Sequence, residues 1–217
     1  MKRLFYTFSL LLVVSIAFTS HGNNSDNDSI TNYPPGIGNP TITTDPGVLI
    51  GTTRWATRNV AAYGTFAPYP ESAGMFFQWG CPQYWSSSDA IVTGWNSANI
   101  LGTTWYPEYD PCPAGWRLPT SAELVALHNA GSVRATRNSV NGRYFGTYPY
   151  RIFLPAAGLR IDRNAMLSGV NTSGSYWSNT YRDSRRAVGL WFNNAGRIRT
   201  NYAWGRANGL SVRCVAE

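Results

Sequence analysis

The sequence predicts an α+β domain of short strands, one clear helix and long loops, and three observations carry that prediction. At Val188, Leu190 and Phe192, and again at Leu210, Val212 and Cys214, apolar side chains recur at every second position, the period of a strand with one buried face. From Thr120 to Gly131 the chain carries the start signal, spacing and stop signal of one helix. Elsewhere, short apolar and aromatic runs are separated by loop-heavy stretches rich in turn residues.

The first 20 residues, MKRLFYTFSLLLVVSIAFTS, join a cationic start to an apolar run and then small residues, which describes a secretory signal peptide better than a membrane anchor. The mature chain is therefore expected to be exported: periplasmic, at the cell surface or secreted. No later apolar run approaches the length that spans a bilayer, so no transmembrane segment is expected after the signal peptide. Residues 21–47 are rich in Asn, Pro, Gly, Thr and Ser and read as a disordered spacer. One domain is expected over residues 48–217.

Within it, VLIGTTRWATRNV from Val48 reads as the first strand and GMFFQWG as another short element. Trp85, Trp95, Trp105 and Tyr106 fall in a loop-heavy region and are expected to pack over a sheet. Thr120 and Glu123 fit a capping box, Leu124, Leu127 and His128 follow at helical spacing, and Pro119 and Gly131 punctuate the two ends. RIFLPAAGLRI offers one or two short strands broken at Pro155. Val188, Leu190 and Phe192 then share a core face, leaving Gly189, Trp191 and Asn193 on a wet one. Asn193 to Gly196 supplies turn chemistry, with Gly196 suited to the left-handed position. In the return strand Ile198, Thr200 and Tyr202 alternate with an outer row of Arg197, Arg199 and Asn201 beside Trp191, and Leu210, Val212 and Cys214 mark a third strand.

The formal charge is +7 and the only lysine is Lys2 in the leader, so the mature cationic charge is entirely arginine. Guanidinium is planar and forked, stacks on rings and binds oxyanions bidentately. The C-terminal arginines are interleaved with Trp and Asn, carry no nucleic-acid motif and belong to a chain expected outside the cytoplasm, so nucleic acid is not the expected partner. Asp183 is the only acid between Ser173 and Arg213, which points to an acidic or acceptor-rich protein or glycan ligand. Trp, Tyr and Arg are hot-spot residue types, whereas a face serving only solubility would carry more Lys and Glu. The competing reading is a solvated face whose charges protect a sheet edge.

Cys81, Cys112 and Cys214 allow at most one internal pair in an oxidising compartment. Cys112 with Cys214 is the expected pair, and three buried thiols are the alternative. Closing a loop of about 100 residues stabilises a fold by about 4 to 5 kcal/mol in the chain-entropy treatment.

DPCPAGWRLPTSAELVAL, residues 110–127, resembles the major paralogous domain first recognised in Fibrobacter succinogenes and abundant in surface proteins of the Bacteroidetes. LIGTTRWATRNV, GMFFQWG, NGRYF, FLPAAGLR, SYWSNTY and GLSVRCV fall in that family's order, so the resemblance covers roughly residues 48–217. It implies a C-type lectin-like fold with small twisted antiparallel sheets, in which the chain ends lie together and the last strands present a binding site. It also implies a disulfide between Cys112 and Cys214. The terminal segment further resembles the variable protein of a diversity-generating retroelement, in which adenines of Asn-type codons are randomised between fixed apolar residues. By position, that resemblance marks Tyr181, Arg182, Asp183, Arg185, Arg186, Gly189, Trp191, Asn193, Arg197, Arg199, Asn201, Tyr202, Trp204 and Arg206 as ligand-contact residues. Trp177, Leu190, Phe192, Leu210, Val212 and Cys214 would be scaffold. Two residues depart from the pattern. Trp204 has a codon that adenine changes to AAC do not reach, and Cys81 has no counterpart in the family. Residues 18–24 resemble a bacterial lipoprotein leader, but the acceptor position holds His21, whose imidazole forms no thioether; this argues against lipid anchoring.

No enzyme is expected, because the mature chain lacks a convergent acid, base and nucleophile. His128 reads as structural, Glu123 as a cap and Asp110 as a turn former, leaving Glu108 alone. The calcium motifs of sugar-binding lectins, Glu-Pro-Asn or Gln-Pro-Asp, are missing, and Trp177, Ser178 and Asn179 include no carboxylate, so neither metal nor cofactor is expected. The leading reading is an exported non-catalytic receptor or adhesin. Its competitors are an undiversified fimbrial or cell-surface assembly module and, ranked last, an oxidoreductase of the formylglycine-generating type, for which one cysteine partner would be Cys214.

Overall fold

The computed structural model describes residues 41–98 and 102–217, so the expected signal peptide and residues 21–40 of the expected spacer lie outside the described residues. The domain begins earlier than expected. Ile42 bridges Phe66 and packs on the core, and Asp45 accepts hydrogen bonds from the amides of Gly47 and Thr57, so residues 41–47 belong to the fold.

The first predicted strand is a hairpin, β1 (Val48–Ile50) and β2 (Thr53–Trp55), folded over Gly51 at φ 62. Next come β3 (Met75–Phe77) and β4 (Tyr84–Ser86), a single 3-10 turn at Pro107–Tyr109, and β5 (Trp116–Arg117). Trp85 and Trp105 are buried, Trp95 packs its ring 4.8 Å from that of Trp85, and Tyr106 is exposed, contrary to the expectation that all four aromatics pack inward.

Helix α1 (Ser121–Asn129) starts from the predicted capping box. Thr120 Oγ1 accepts from the Glu123 amide at 3.2 Å, while the Thr120 amide donates to Glu123 Oε2 at 2.7 Å. Two orphan donors of the first turn are thereby satisfied. Arg117 grips the same carboxylate at 2.8 and 3.0 Å, Leu124 and Leu127 turn inward, and Gly131 at φ 96 ends the helix.

Three strands follow: β6 (Ser132–Arg137), β7 (Val140–Thr147) and β8 (Tyr150–Pro155). The β6–β7 hairpin lies in a stretch that carried no sequence assignment; Asn138 and Ser139 both take positive φ, 45 and 65, the geometry of a two-residue hairpin turn. β9 (Leu159–Arg160) pairs with β10 (Leu167–Ser168), and β11 (Ser173–Tyr181), β12 (Arg186–Asn193) and β13 (Ile198–Gly205) form a meander. The last strand, β14 (Val215–Ala216), lies between β2 and β5, which brings the two ends of the domain into one sheet ordered β1-β2-β14-β5. Among the described residues the architecture is α+β: small antiparallel sheets, one α-helix and loops.

Leu210, Val212 and Cys214 were expected on a strand. Instead the buried 209–214 segment threads between elements, bridging Arg160, Phe77 and Tyr176 in turn. Its carbonyls at Val212 and Cys214 accept from the amides of Val60 and Ala56. Cys214 is bonded to Cys112 across 102 residues with a Cα separation of 6.0 Å, which ties this segment to the loop ahead of β5.

The meander lies between two apolar clusters. Tyr176, Leu190, Phe192 and Ile198 face Leu124, Leu127, Phe145 and Ile152. Trp177 and Ala187 face Trp79, Trp105, Leu210 and Val212. The face expected to be wet is thus covered over much of its length. Loops are held over this core by arginines whose donors point inward. Arg160, 0 % exposed, donates to the carbonyls of Ser86, Ala165 and Asp89 at 2.8, 2.6 and 2.6 Å. Arg213 donates to Asn59 Oδ1 and the Ala56 carbonyl, and burial pushes its guanidinium down to about 10.

Candidate ligand-binding surface

The site is built on the β12–β13 hairpin, whose turn is closed by its own side chain. The Asn193 amide donates to the Arg197 carbonyl at 3.0 Å, and Asn193 Oδ1 accepts from the Arg197 amide at 3.0 Å. Gly196 takes φ 85, the left-handed position expected of it. Asn193 Oδ1 is therefore occupied in shaping the turn.

Along the strands Trp191 pairs with Arg199 and Gly189 with Tyr202, so Thr200 and Asn201 together oppose Leu190. This bulge inverts the phase of β13. Tyr202, expected on the inward row with Ile198 and Thr200, joins the face of Trp191 and Arg199. The result is an aromatic row: the rings of Trp191 and Tyr202 lie 6.1 Å apart, those of Tyr202 and Trp204 lie 4.5 Å apart, and the Arg199 guanidinium sits 5.6 Å from the Tyr202 centroid. Trp191 and Tyr202 are half-buried, and Arg197, Arg199 and Asn201 are exposed around them. Trp204 packs partly against the core, with its Nε1 buried and lacking an acceptor.

A second group lies at the other end of the meander. Asp183 Oδ1 accepts from the amides of Arg185 and Arg186, both at 2.9 Å, and Oδ2 from Arg186 Nε at 2.8 Å. The Arg185 amide first, and then Arg186, hold this carboxyl below its ordinary range. Asp183 thus forms a turn and neutralises Arg186, whereas the exposed Arg182 and Arg185 have no ion-pair partner among the described residues. With Ser184, Asp162 and Gly205, the residues Asp183, Arg185 and Arg186 line a shallow pocket. Tyr181 packs inward, 6.4 Å from Trp79.

Two of the expected contact residues are corrected. Arg206 is 1 % exposed; it donates to the Gly102 carbonyl at 2.9 Å and stacks 4.4 Å from the Trp79 centroid, so it acts inside the domain. Gly189 is buried, and a Cβ there would stand 2.4 Å from the Tyr176 carbonyl oxygen, so no side chain projects from this position. The expected scaffold residues Trp177, Leu190, Phe192, Leu210, Val212 and Cys214 are all fully buried.

Asp110 and Cys81 are engaged locally. Asp110 accepts from the amides of Cys112 and Leu118 at 3.0 and 2.9 Å, and burial pushes its carboxyl up. Burial likewise pushes up the free Cys81 thiol, which lies 2.6 Å from Gln83 Oε1. His128 lies half-buried on α1, with Nδ1 lacking a partner. Among the described residues no group of three or more His, Cys, Asp or Glu could hold a metal ion, and no helix is long and apolar enough to cross a membrane.

A second concentration of Arg and Tyr escaped the sequence reading. On β7 and β8, the Arg151 guanidinium stacks 4.0 Å from the Tyr144 centroid and 5.2 Å from that of Tyr148. On the other face of that sheet, Arg134 of β6 pairs directly with Arg143 of β7. The period-two alternation of VRATRNSVNGRYF was the signal that could have found them. Comparison with family models, curated proteins and solved structures returns no match.

Proposed function

We propose that the chain is an exported, non-catalytic ligand-binding protein, a receptor or adhesin with a C-type lectin-like fold, that engages an acidic or acceptor-rich protein or glycan through the β12–β13 surface. The observation that carries this reading is the row formed by Trp191, Tyr202 and Arg199, flanked by exposed Arg197 and Asn201. Stacked aromatics offer a large contact area at low entropic cost, and guanidinium groups beside them supply directional donors without a resident carboxylate to compete. The disulfide between Cys112 and Cys214 suits an oxidising compartment. Support for the lectin-like topology comes from the meander of small sheets, the single capped helix and the meeting of the domain ends in one sheet.

Diversification of the segment belongs to the same proposal, with a narrower set of variable positions. Gly189 and Arg206 would be constant, as would the Trp codons of the aromatic row, leaving exposed Arg182, Arg185, Arg197, Arg199 and Asn201 as the exchangeable positions. Replacing Trp191, Arg197 and Arg199 together by Ala is expected to abolish capture from a panel of acidic glycans and proteins, with melting shifted by no more than a few degrees. Undiminished capture would place the binding face elsewhere. For diversification, the neighbouring genome should hold a reverse transcriptase gene and a near-copy of the codons for residues 175–214 that differs only at template adenines. A locus with neither would reduce the segment to a fixed surface, as in an assembly module.

A further inference from the structure

Arg206, with Nε and Nη2 left without an acceptor, directs Nη1 to the Gly102 carbonyl, and Arg160 and Arg213 direct several donors to carbonyl or amide oxygens of the chain. Arg143 does not. It is 8 % exposed, its Nη2 donates only to Ser132 Oγ at 3.2 Å, and its Nε is buried with no acceptor. Its direct cross-strand partner on β6 is another cation, Arg134, and on β8 it is the apolar Leu154. Like charges directly opposite on a sheet destabilise it, and a buried guanidinium nitrogen without an acceptor adds a further cost. Among the described residues neither arginine belongs to an ion pair. Burial first, and then the Arg134 charge, hold the Arg143 guanidinium below its usual range.

Arg134 is also aimed. Its Nη1 donates to the Asn194 carbonyl at 2.8 Å, so the β12–β13 turn fixes an otherwise exposed side chain over the β6–β7 ladder. The same face carries hydroxyl and amide groups two residues along, where Thr136 Oγ1 donates to Asn141 Oδ1 at 2.8 Å.

We propose that Arg134 and Arg143, with the Ser132 hydroxyl, form a binding site for a tetrahedral oxyanion, a sulfate or phosphate group. Two forked cations and a hydroxyl offer donors in several directions, which suits four oxygens and a charge of up to two better than a single planar carboxylate. Such a group would neutralise the cation pair. The site is separate from the aromatic row of the proposed ligand surface.

The test is a thermal-shift titration of the protein with sodium sulfate and with inorganic phosphate, against sodium chloride at matched ionic strength. Wild type is compared with Arg134→Gln, which removes the charge and keeps a polar side chain, and with Arg151→Gln as a half-buried control on the other face of the sheet. Saturable stabilisation beyond the chloride baseline is expected in wild type and Arg151→Gln, with apparent affinity at least tenfold weaker in Arg134→Gln. Heparin fragments separate the sources: saturation at lower sulfate equivalents than the free ion, lost in Arg134→Gln, assigns an ester-borne group, whereas no gain over the free ion assigns a free anion. The proposal is overturned if sulfate and phosphate act as chloride does, or if Arg134→Gln titrates like wild type.

Discussion

Substituting Gly189 separates a variable surface position from a position locked by backbone packing. Gly189 lies on β12 between Trp177 of β11 and Tyr202 of β13, and an added Cβ would meet the Tyr176 carbonyl oxygen at 2.4 Å and Trp204 Cδ1 at 3.1 Å. The first distance is about 1 Å inside ordinary contact, and the atom it meets belongs to a backbone paired within the same sheet. Relief requires β11 and β12 to separate locally, at the cost of about 1 to 3 kcal/mol typical of overpacking. For a domain of this size that lowers the melting temperature by roughly 3 to 10 °C. Gly189→Ala should therefore melt early by calorimetry and show a reduced urea midpoint, while Asn201→Ala on the exposed strand surface melts as wild type does. If Gly189→Ala melts within about 1 °C of wild type, the close approach between β11 and β12 is not real and Gly189 returns to the set of exchangeable positions.

Two further perturbations test how the fold is held. Arg160→Met leaves the carbonyls of Ser86, Ala165 and Asp89 without their donor, so a loss of about 3 kcal/mol is expected in chemical denaturation, with proteolysis appearing first in the 86–98 loop. An unchanged denaturation midpoint would show that the arginine does not clamp those loops. Burial pushes the Glu123 carboxyl up, but the hydrogen bonds and charge of Arg117 and the Thr120 bonds outweigh it and leave the group below its ordinary value. The stability it confers is thus complete above the unfolded value near 4.5 and is lost as pH falls through the lower folded value. Glu123→Gln can keep the capping bond through its amide oxygen but removes the charge and one of the two oxygens that accept from Arg117, so it should be less stable than wild type at pH 7 by up to about 1 kcal/mol for so partly exposed a pair. The difference should shrink as pH falls through that lower folded value, and a difference independent of pH would remove the ion pair from the account.

What could be read from the residues was local. The capping box at Thr120 and Glu123, the left-handed glycine at Gly196 and the buried row of Val188, Leu190 and Phe192 each depend on neighbours within a few positions, and each stands where the sequence places it. The alternation after Trp191 is also local, but its meaning is not. One extra residue on β13 opposite Leu190 rotates Tyr202 from the inward row to the outward one, and periodicity in one strand carries no record of the partner's register.

Charge was equally ambiguous in the sequence. Arg199 and Arg206 look alike in the terminal segment, yet one is exposed beside Tyr202 and the other is enclosed against Trp79, because a second apolar cluster covers only part of that sheet face. By itself the sequence determined the α+β class, the helix, the hairpin turn and the residue types available for recognition. Tertiary structure alone decided which arginines brace loops and which face solvent, that Gly189 tolerates no side chain, and that Arg134 and Arg143 pair without a counter-charge among the described residues. The physical reason is common to all three: burial and charge pairing are set by contacts between segments that are distant in the chain, and residue identity does not encode those distances.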